Sequence, residues 1–262
     1  MMYQLNYLWR VLGTGISFTV FGIGGLVLSL TVFPLLNLFI RDIDKRKQKA
    51  RYIIHRSFAF FLKLMQSLGI FTFHLEQAKR DLAHVSGKII IANHPSLIDV
   101  VALISIMPRA DCVVKRGLWQ NPFLKGVVTA ANFIKNDEDI EPLINACDES
   151  LEEGYNLIIF PEGTRTTPNK PMKLQRGAAN IALRCQRNFI PVLIDCDPTT
   201  LTKNEKWYQI PDKRVNFTLC VRPEIDIQPF IDPTLSPSLQ ARKLTAHLKE
   251  FFEEECKVNA TT

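Results

Sequence analysis

The 262-residue chain reads as an α/β fold: a mixed or mostly parallel sheet covered by helices on both faces, with an N-terminal membrane-associated helical segment. Three observations carry that reading. Short β-branched runs bounded by glycine, proline or polar residues recur along the chain, and segments of helical periodicity separate them. Residues 11–40 contain no charged side chain. The net charge is confined to one end, because residues 1–56 hold eight Lys or Arg and two Asp while the remainder is balanced.

The uncharged stretch comes first. A continuous helix over it is about 45 Å long, against a hydrocarbon core of about 30 Å. It is long enough to span with tilt, or to break and lie in the interface. Five glycines between Gly13 and Gly25 soften it, and Pro34 marks a kink or an end. The run is too long for a cleaved signal peptide, and no small-residue cleavage site follows it before Arg41. Arg41, Lys45, Arg46, Lys47, Lys49 and Arg51 come next, whereas only Arg10 precedes the run. The positive-inside rule then places the main domain on the cytoplasmic side, as at a bacterial inner membrane, and the cations face anionic head groups. Residues 1–70 form the anchoring segment and 71–262 the cytoplasmic domain.

Arg51 to Gly69 has the spacing of an amphipathic helix, with Phe58, Phe61, Leu62, Met65 and Leu68 on one side. Strands are expected at Ile70–Leu75, Lys88–Ala92, Cys112–Val114, Asn132–Ile134, Leu157–Phe160, Ile190–Ile194 and Val215–Val221. Helices fall at Val100–Met107, Glu141–Glu153, Gly177–Arg187 and Leu239–Glu255. The alternation leaves the strand order open. Asp197–Pro211 is an excursion from the sheet whose Trp207, Tyr208 and lysines suit either an interface or a packed surface loop.

The six cysteines show neither CxxC pairs nor metal-ligand spacing, so they read as reduced thiols and no metal site is expected. The globular part carries no basic patch, which argues against nucleic acid as a partner.

Chemistry concentrates in two blocks. In Asn93-His94-Pro95-Ser96-Leu97-Ile98-Asp99, the proline disfavours helix at His94 and starts one after it. In one continuous helix His94 and Asp99 point about 140° apart; the turn at Pro95 is what brings the carboxylate round to the ring. A histidine so held has one tautomer fixed and a free nitrogen to accept a proton. Ser96 lacks a nucleophile elbow and reads as a helix cap. The second block, Phe160-Pro161-Glu162-Gly163-Thr164-Arg165-Thr166, follows a strand, where open α/β sheets bind ligands. Arg165 offers a fork for phosphate or carboxylate, and Gly163 permits close approach.

Together the two blocks resemble the HxxxxD and FPEGTR motifs of the glycerolipid acyltransferase family, which includes the lysophosphatidate acyltransferases. The resemblance runs from about Gly87 to Arg222, with Ile190-Pro191-Val192 similar to the family's fourth block. It implies transfer of a fatty acyl group from acyl-CoA or acyl-carrier protein to a lipid hydroxyl, by default lysophosphatidate in phospholipid synthesis, with no cofactor. It implies His94 as general base, Asp99 as its orienting partner, and Glu162, Gly163, Thr164 and Arg165 as acceptor-binding residues. Lys115, Lys135 and Arg176 are further substrate-binding candidates. Membrane lipids and the acyl donor are the implied partners, and the oligomeric state is not legible. One departure stands out. Where lysophosphatidate-using members carry a FIDR-like stretch, this chain has Phe133-Ile134-Lys135-Asn136, which points to a specialised lipid acceptor as the alternative. A lipid-binding membrane protein with an idle site, and a thioesterase using water, are the readings from other classes.

Overall fold

A computed structural model describes residues 2–136, 139–167 and 170–260. At its centre, β2 (Ile89–Ala92) is wholly buried. Three isoleucines in a row suit a strand covered on both faces, where no polar alternation is needed. Around it the sheet runs β1 (Phe71–His74), β7 (Val215–Val221), β6 (Phe189–Asp197), β2, β5 (Asn156–Ile159), β3 (Ala110–Lys115) and β4 (Ile134–Asn136). From β6 to β4 the neighbours are parallel, whereas β6 and β7 pair antiparallel and β1 runs parallel to β7. The mixed, mostly parallel sheet expected from the alternation is the one observed.

Alternate residues of each strand serve two cores. Ile90, Ala92, Ile158 and Val192 face the layer built from α3 (Ile43–Ser67) and α5 (Asp99–Ile106). Ile89, Ile91, Leu157 and Leu193 face α7 (Ile140–Glu152), α8 (Gly177–Cys185) and α9 (Pro237–Ala260). Gly154 ends α7 at φ 79°, and the Tyr155 amide reaches back to the Ser150 carbonyl at 3.0 Å. A left-handed residue is what that closing turn requires.

The expected strands and long helices fall within a few residues of their observed bounds. Two short helices, α4 (Glu76–Asp81) and α6 (Lys125–Ala130), were not legible. Neither is longer than two turns, too little for a periodic signal.

The N-terminal segment behaves differently from a rod broken at proline. Here α1 (Met2–Val27) continues through a π-helical turn, Leu28–Val32, into α2 (Phe33–Phe39). The Phe33 amide bonds to the Leu28 carbonyl five residues back. Pro34 sits at the start of α2, where a missing N–H costs little. Among the described residues this is the one helix long and apolar enough to cross a membrane, Gln4–Phe39. Its burial is one-sided. Arg10, Gly13, Thr14, Ser17 and Gly25 turn inward, whereas Leu5, Leu8, Leu12, Ile16, Ile23 and Val27 are exposed. Small residues allow the approach: a Cβ on Gly25 would lie 2.7 Å from the Phe123 carbonyl oxygen, and one on Gly126 would lie 2.1 Å from Ser29 Oγ.

Helix α3 begins where Asp42 accepts from the Asp44 and Lys45 amides, at 3.0 and 3.1 Å. Its apolar stripe is core, with Phe61, Leu62 and Met65 buried. The structure also withdraws Arg51 from the basic cluster. Its guanidinium is buried in an ion pair with Asp111, donates to the Ala131 carbonyl at 2.8 Å and lies 4.1 Å over the Tyr155 ring. Ser150 Oγ donates to the same carboxylate at 2.6 Å, and Lys47 pairs with Glu153 at 2.9 Å. Four residues apart, Lys47 and Arg51 share the helix face turned to the sheet.

Breaking a buried ion pair from one side leaves an uncompensated charge. Arg51→Met is expected to lower stability by about 3–5 kcal/mol, read as a fall in the thermal midpoint of the solubilised protein. Adding Asp111→Asn should recover part of the loss.

Candidate active site

His94 and Glu162 meet because of strand register. Ile89 pairs with Leu157 and Ile91 with Ile159 in the parallel β2–β5 ladder. Carried three residues past the last pair, the same register sets His94 beside Glu162. There the His94 amide donates to Glu162 Oε1 at 3.0 Å. Thr166 closes the arrangement, because its hydroxyl donates to Glu162 Oε1 at 2.7 Å and its amide to the His94 carbonyl at 2.7 Å. Phe160 stacks on the imidazole with ring centres 4.2 Å apart. Both backbone groups of His94 are thereby held by the second block.

The side chain is held by the first block. After Pro95 the chain turns into α5, and Asp99 Oδ2 lies 2.7 Å from His94 Nδ1. The Ser96 amide donates to the same oxygen at 2.8 Å. With Nδ1 engaged by the carboxylate, Nε2 is the basic nitrogen. Asp99 is fully buried. Burial pushes its carboxyl up to about 6, against the opposing pull of the His94 hydrogen bond and charge and the Ser96 amide. Asn93 anchors the strand end in its own way: its side-chain amide donates to the Ile194 carbonyl at 2.8 Å and accepts from the Ile194 amide at 2.7 Å.

Gly163 takes φ 66°, and a Cβ there would lie 3.3 Å from the Gln175 side chain; the turn needs glycine. Arg165 Nη1 donates to the carbonyls of Leu201 and Thr202 at 2.8 and 3.0 Å. The Leu97 amide also donates to the Leu201 carbonyl, at 3.2 Å. Both blocks therefore grip one residue of the excursion after β6. Leu201 is buried and adopts φ 54°, a left-handed backbone that a leucine keeps only where its surroundings insist.

A cavity of about 940 Å³ opens beside the histidine. His94, Arg165 and Trp207 line it, and so do Phe18 and Phe21 of α1 and Phe58 of α3. The wall is almost entirely apolar. Cys112 also lines it, and burial pushes that thiol up to about 12, so it stays protonated. Of the residues expected to bind substrate, Arg165 shares the cavity with His94. Glu162 is turned onto the His94 backbone, with Gly163 and Thr164 half-buried in the turn beside it. Lys115 and Lys135 are exposed on β3 and β4, towards the same strand ends, and Arg176 is exposed at the start of α8. Sequence reasoning missed the roles of Asn93, which acts through its side-chain amide, of Thr166, which acts through hydroxyl and amide, and of Leu201, which acts through its carbonyl.

A histidine held by a buried carboxylate thus lines an apolar cavity, an arrangement able to move a proton beside a hydrocarbon chain. The comparisons agree. Residues 71–195 match the family model described as Acyltransferase. A 1-acyl-sn-glycerol-3-phosphate acyltransferase of Helicobacter pylori is 32% identical over 174 residues, 64% of this chain and 71% of that one. A putative enzyme of the same name from Caenorhabditis elegans is 35% identical over 112 residues, 40% of this chain and 39% of that one. The crystal structure of the 1-acyl-sn-glycerophosphate acyltransferase from Thermotoga maritima shares the fold, with a TM-score of 0.65 over 96% of this chain and 98% of that one at 18% identity. The chain belongs to the acyltransferase family of 1-acyl-sn-glycerol-3-phosphate acyltransferases.

Two predictions follow from the geometry. Thr166→Val keeps the shape but deletes the hydroxyl that closes the Glu162 clamp, and it should lower turnover about tenfold; Thr166→Ser should restore most of it. Asp99 carries a proton in the folded protein between its unfolded value of 3.8 and about 6. Its contribution to stability is therefore greatest at low pH and is lost as pH rises through that window. Asp99→Asn should consequently gain thermal stability relative to the parent protein from about pH 4 to about pH 7, while losing about 10²-fold or more of its activity.

Proposed function

We propose that the protein moves a fatty acyl group from an acyl thioester to the free hydroxyl of lysophosphatidate, forming phosphatidate for phospholipid synthesis. The observation that carries this reading is His94, backed by Asp99 and lining an apolar cavity of about 940 Å³. A volume in the range of about 300–1,000 Å³ suits a substantial ligand, and an apolar wall suits a hydrocarbon chain. The names of the related enzymes support the acceptor.

In this mechanism His94 Nε2 takes the proton of the acceptor hydroxyl as its oxygen attacks the thioester carbonyl. The tetrahedral adduct then collapses, the carbon–sulfur bond breaks, and the proton passes to the departing thiolate. Asp99 orients the ring and stabilises the imidazolium between the two steps. No acyl-enzyme is needed, and Ser96 is a fully buried residue of the turn. Arg165, already tethered through Nη1, presents its guanidinium to the acceptor's anionic group within the loop Glu162–Arg165. Lys115, Lys135 and Arg176 supply charge further out. Acyl-CoA or acyl-carrier protein is the donor.

The membrane is the second half of the reading. At about 57 Å, the helix from residue 2 to 39 exceeds the bilayer core, and one side of it is packed along the catalytic domain. Residues 1–70 thus lie along the membrane face with the exposed stripe in lipid, and the domain from 71 onward sits on the cytoplasmic side. A different lipid acceptor is favoured by a single feature: Asn136 stands where an arginine is expected, beside Lys115 at the ends of β4 and β3.

His94→Ala should lower transfer by about 10²–10⁴-fold without a comparable fall in thermal stability. The measurement is labelled acyl transfer from both donor types to lysophosphatidate, other lysolipids and total lipid extract. Transfer that survives His94→Ala would sink the mechanism. Another labelled lipid, with lysophosphatidate ignored, would overturn the acceptor alone.

A further inference from the structure

The geometry points to the tip of the β6–β7 excursion, residues 203–210, as a second membrane contact that sets the mouth of the cavity at an anionic bilayer surface. This rests on the membrane reading above and extends it from the N-terminal helix to the catalytic site. The excursion is clamped at both ends. On the inner side Leu201 is gripped by Leu97 and Arg165. On the outer side Arg10 of α1, itself buried, donates to the carbonyls of Pro211 and Asp212 at 2.9 and 2.6 Å. Between the clamps most of the tip is exposed.

What the tip exposes is specific. Trp207 and Tyr208 are 48% and 44% exposed and meet edge to face. Lys206 Nζ lies 5.7 Å over the Tyr208 ring, and Lys203 is exposed beside it. Residues 203–210 carry two lysines and one acid. That acid, Glu205, accepts from the Thr202 amide at 2.8 Å. Two amphipathic rings among lysines form the composition that settles at head-group level, rings in the boundary and ammonium groups on phosphates.

Position makes the occupant a bilayer and not a protein. Trp207 packs on α1, where a Cβ on Gly15 would lie 3.2 Å from its ring. It shares an open apolar groove with Leu8, Leu12 and Ile16, the lipid-facing stripe of that helix. The aromatic tip is therefore continuous with the surface already assigned to lipid. Trp207 also lines the cavity beside His94 and Arg165. One side chain thus joins lipid surface to reaction site, and an acceptor lipid enters from the leaflet without crossing water.

The test uses the full chain in bilayers of phosphatidylcholine and phosphatidylglycerol with brominated acyl chains. Tyr208, outside the cavity, serves as reporter: Tyr208→Trp with Trp9, Trp119 and Trp207 each changed to Phe. Blue-shifted emission quenched by the brominated lipid is the expected result. Emission that is unshifted and unquenched overturns the proposal, as does a change that appears only when acyl-carrier protein is added. Neither readout depends on turnover, so failure of the proposed reaction would be distinguishable. In parallel, Lys203→Glu with Lys206→Glu should lower turnover several-fold in the anionic bilayer and leave it unchanged in neutral detergent micelles. Equal effects in both would also overturn the proposal.

Discussion

The hydrogen bond from the His94 amide to Glu162 depends on everything beneath it and positions everything above it. It exists because two neighbouring strands, β2 and β5, run parallel with one constant register, so that the residues just beyond their ends arrive side by side. An antiparallel pair would have sent the two blocks to opposite edges of the sheet. Parallel pairing requires a long crossover, and in this chain the crossover is α5, β3, α6, β4 and α7. The sixty-odd residues between the motifs are taken up by that crossover, which carries two further strands of the sheet on its way.

From that bond the site grows in two directions. Towards the substrate, Glu162 and Thr166 hold the His94 backbone while Asp99 holds its ring. In the proposed mechanism, a proton acceptor immobilised from three sides loses little entropy on reaching the transition state, which is the advantage of preorganisation. Towards the surface, the same loop passes through Arg165 to Leu201, and the excursion then reaches Arg10 of the first helix. A buried arginine in an otherwise apolar helix is costly unless satisfied. Two backbone carbonyls of the excursion satisfy it, so the helix and the loop each have a reason to stay.

Much of this was legible in the amino-acid order. Apolar runs located all seven strands, because a strand buried on both faces leaves an uninterrupted signature such as Ile89-Ile90-Ile91. His94 and Asp99 were legible as a pair because proline at 95 announces the turn that lets them meet. What stayed hidden was mostly backbone chemistry. Nothing about a threonine at 166 or an asparagine at 93 announces that its partner lies on or just beyond a strand about 70 or 100 residues away. Arg51 was misplaced for a related reason. In a cluster of six cations, periodicity alone does not say which face of α3 meets Asp111, and charge count assigned all six to the lipid surface. Strand order, left open by the alternation, is given by the ladders of the folded sheet.

The first seventy residues are the clearest case of a segment whose composition describes one role and whose packing adds another. Length and hydropathy describe an anchor. Yet Phe18, Phe21 and Gly22 line the same cavity as His94, and Phe58 and Phe61 of α3 complete that wall. Removing α1 would open the apolar chamber to water. The glycines that looked like weaknesses in a membrane rod are the places where α1 comes close enough to seal it, against Phe123 at Gly25 and against Trp207 at Gly15. The helix long and apolar enough to cross a membrane and one wall of the cavity beside His94 are thus the same element.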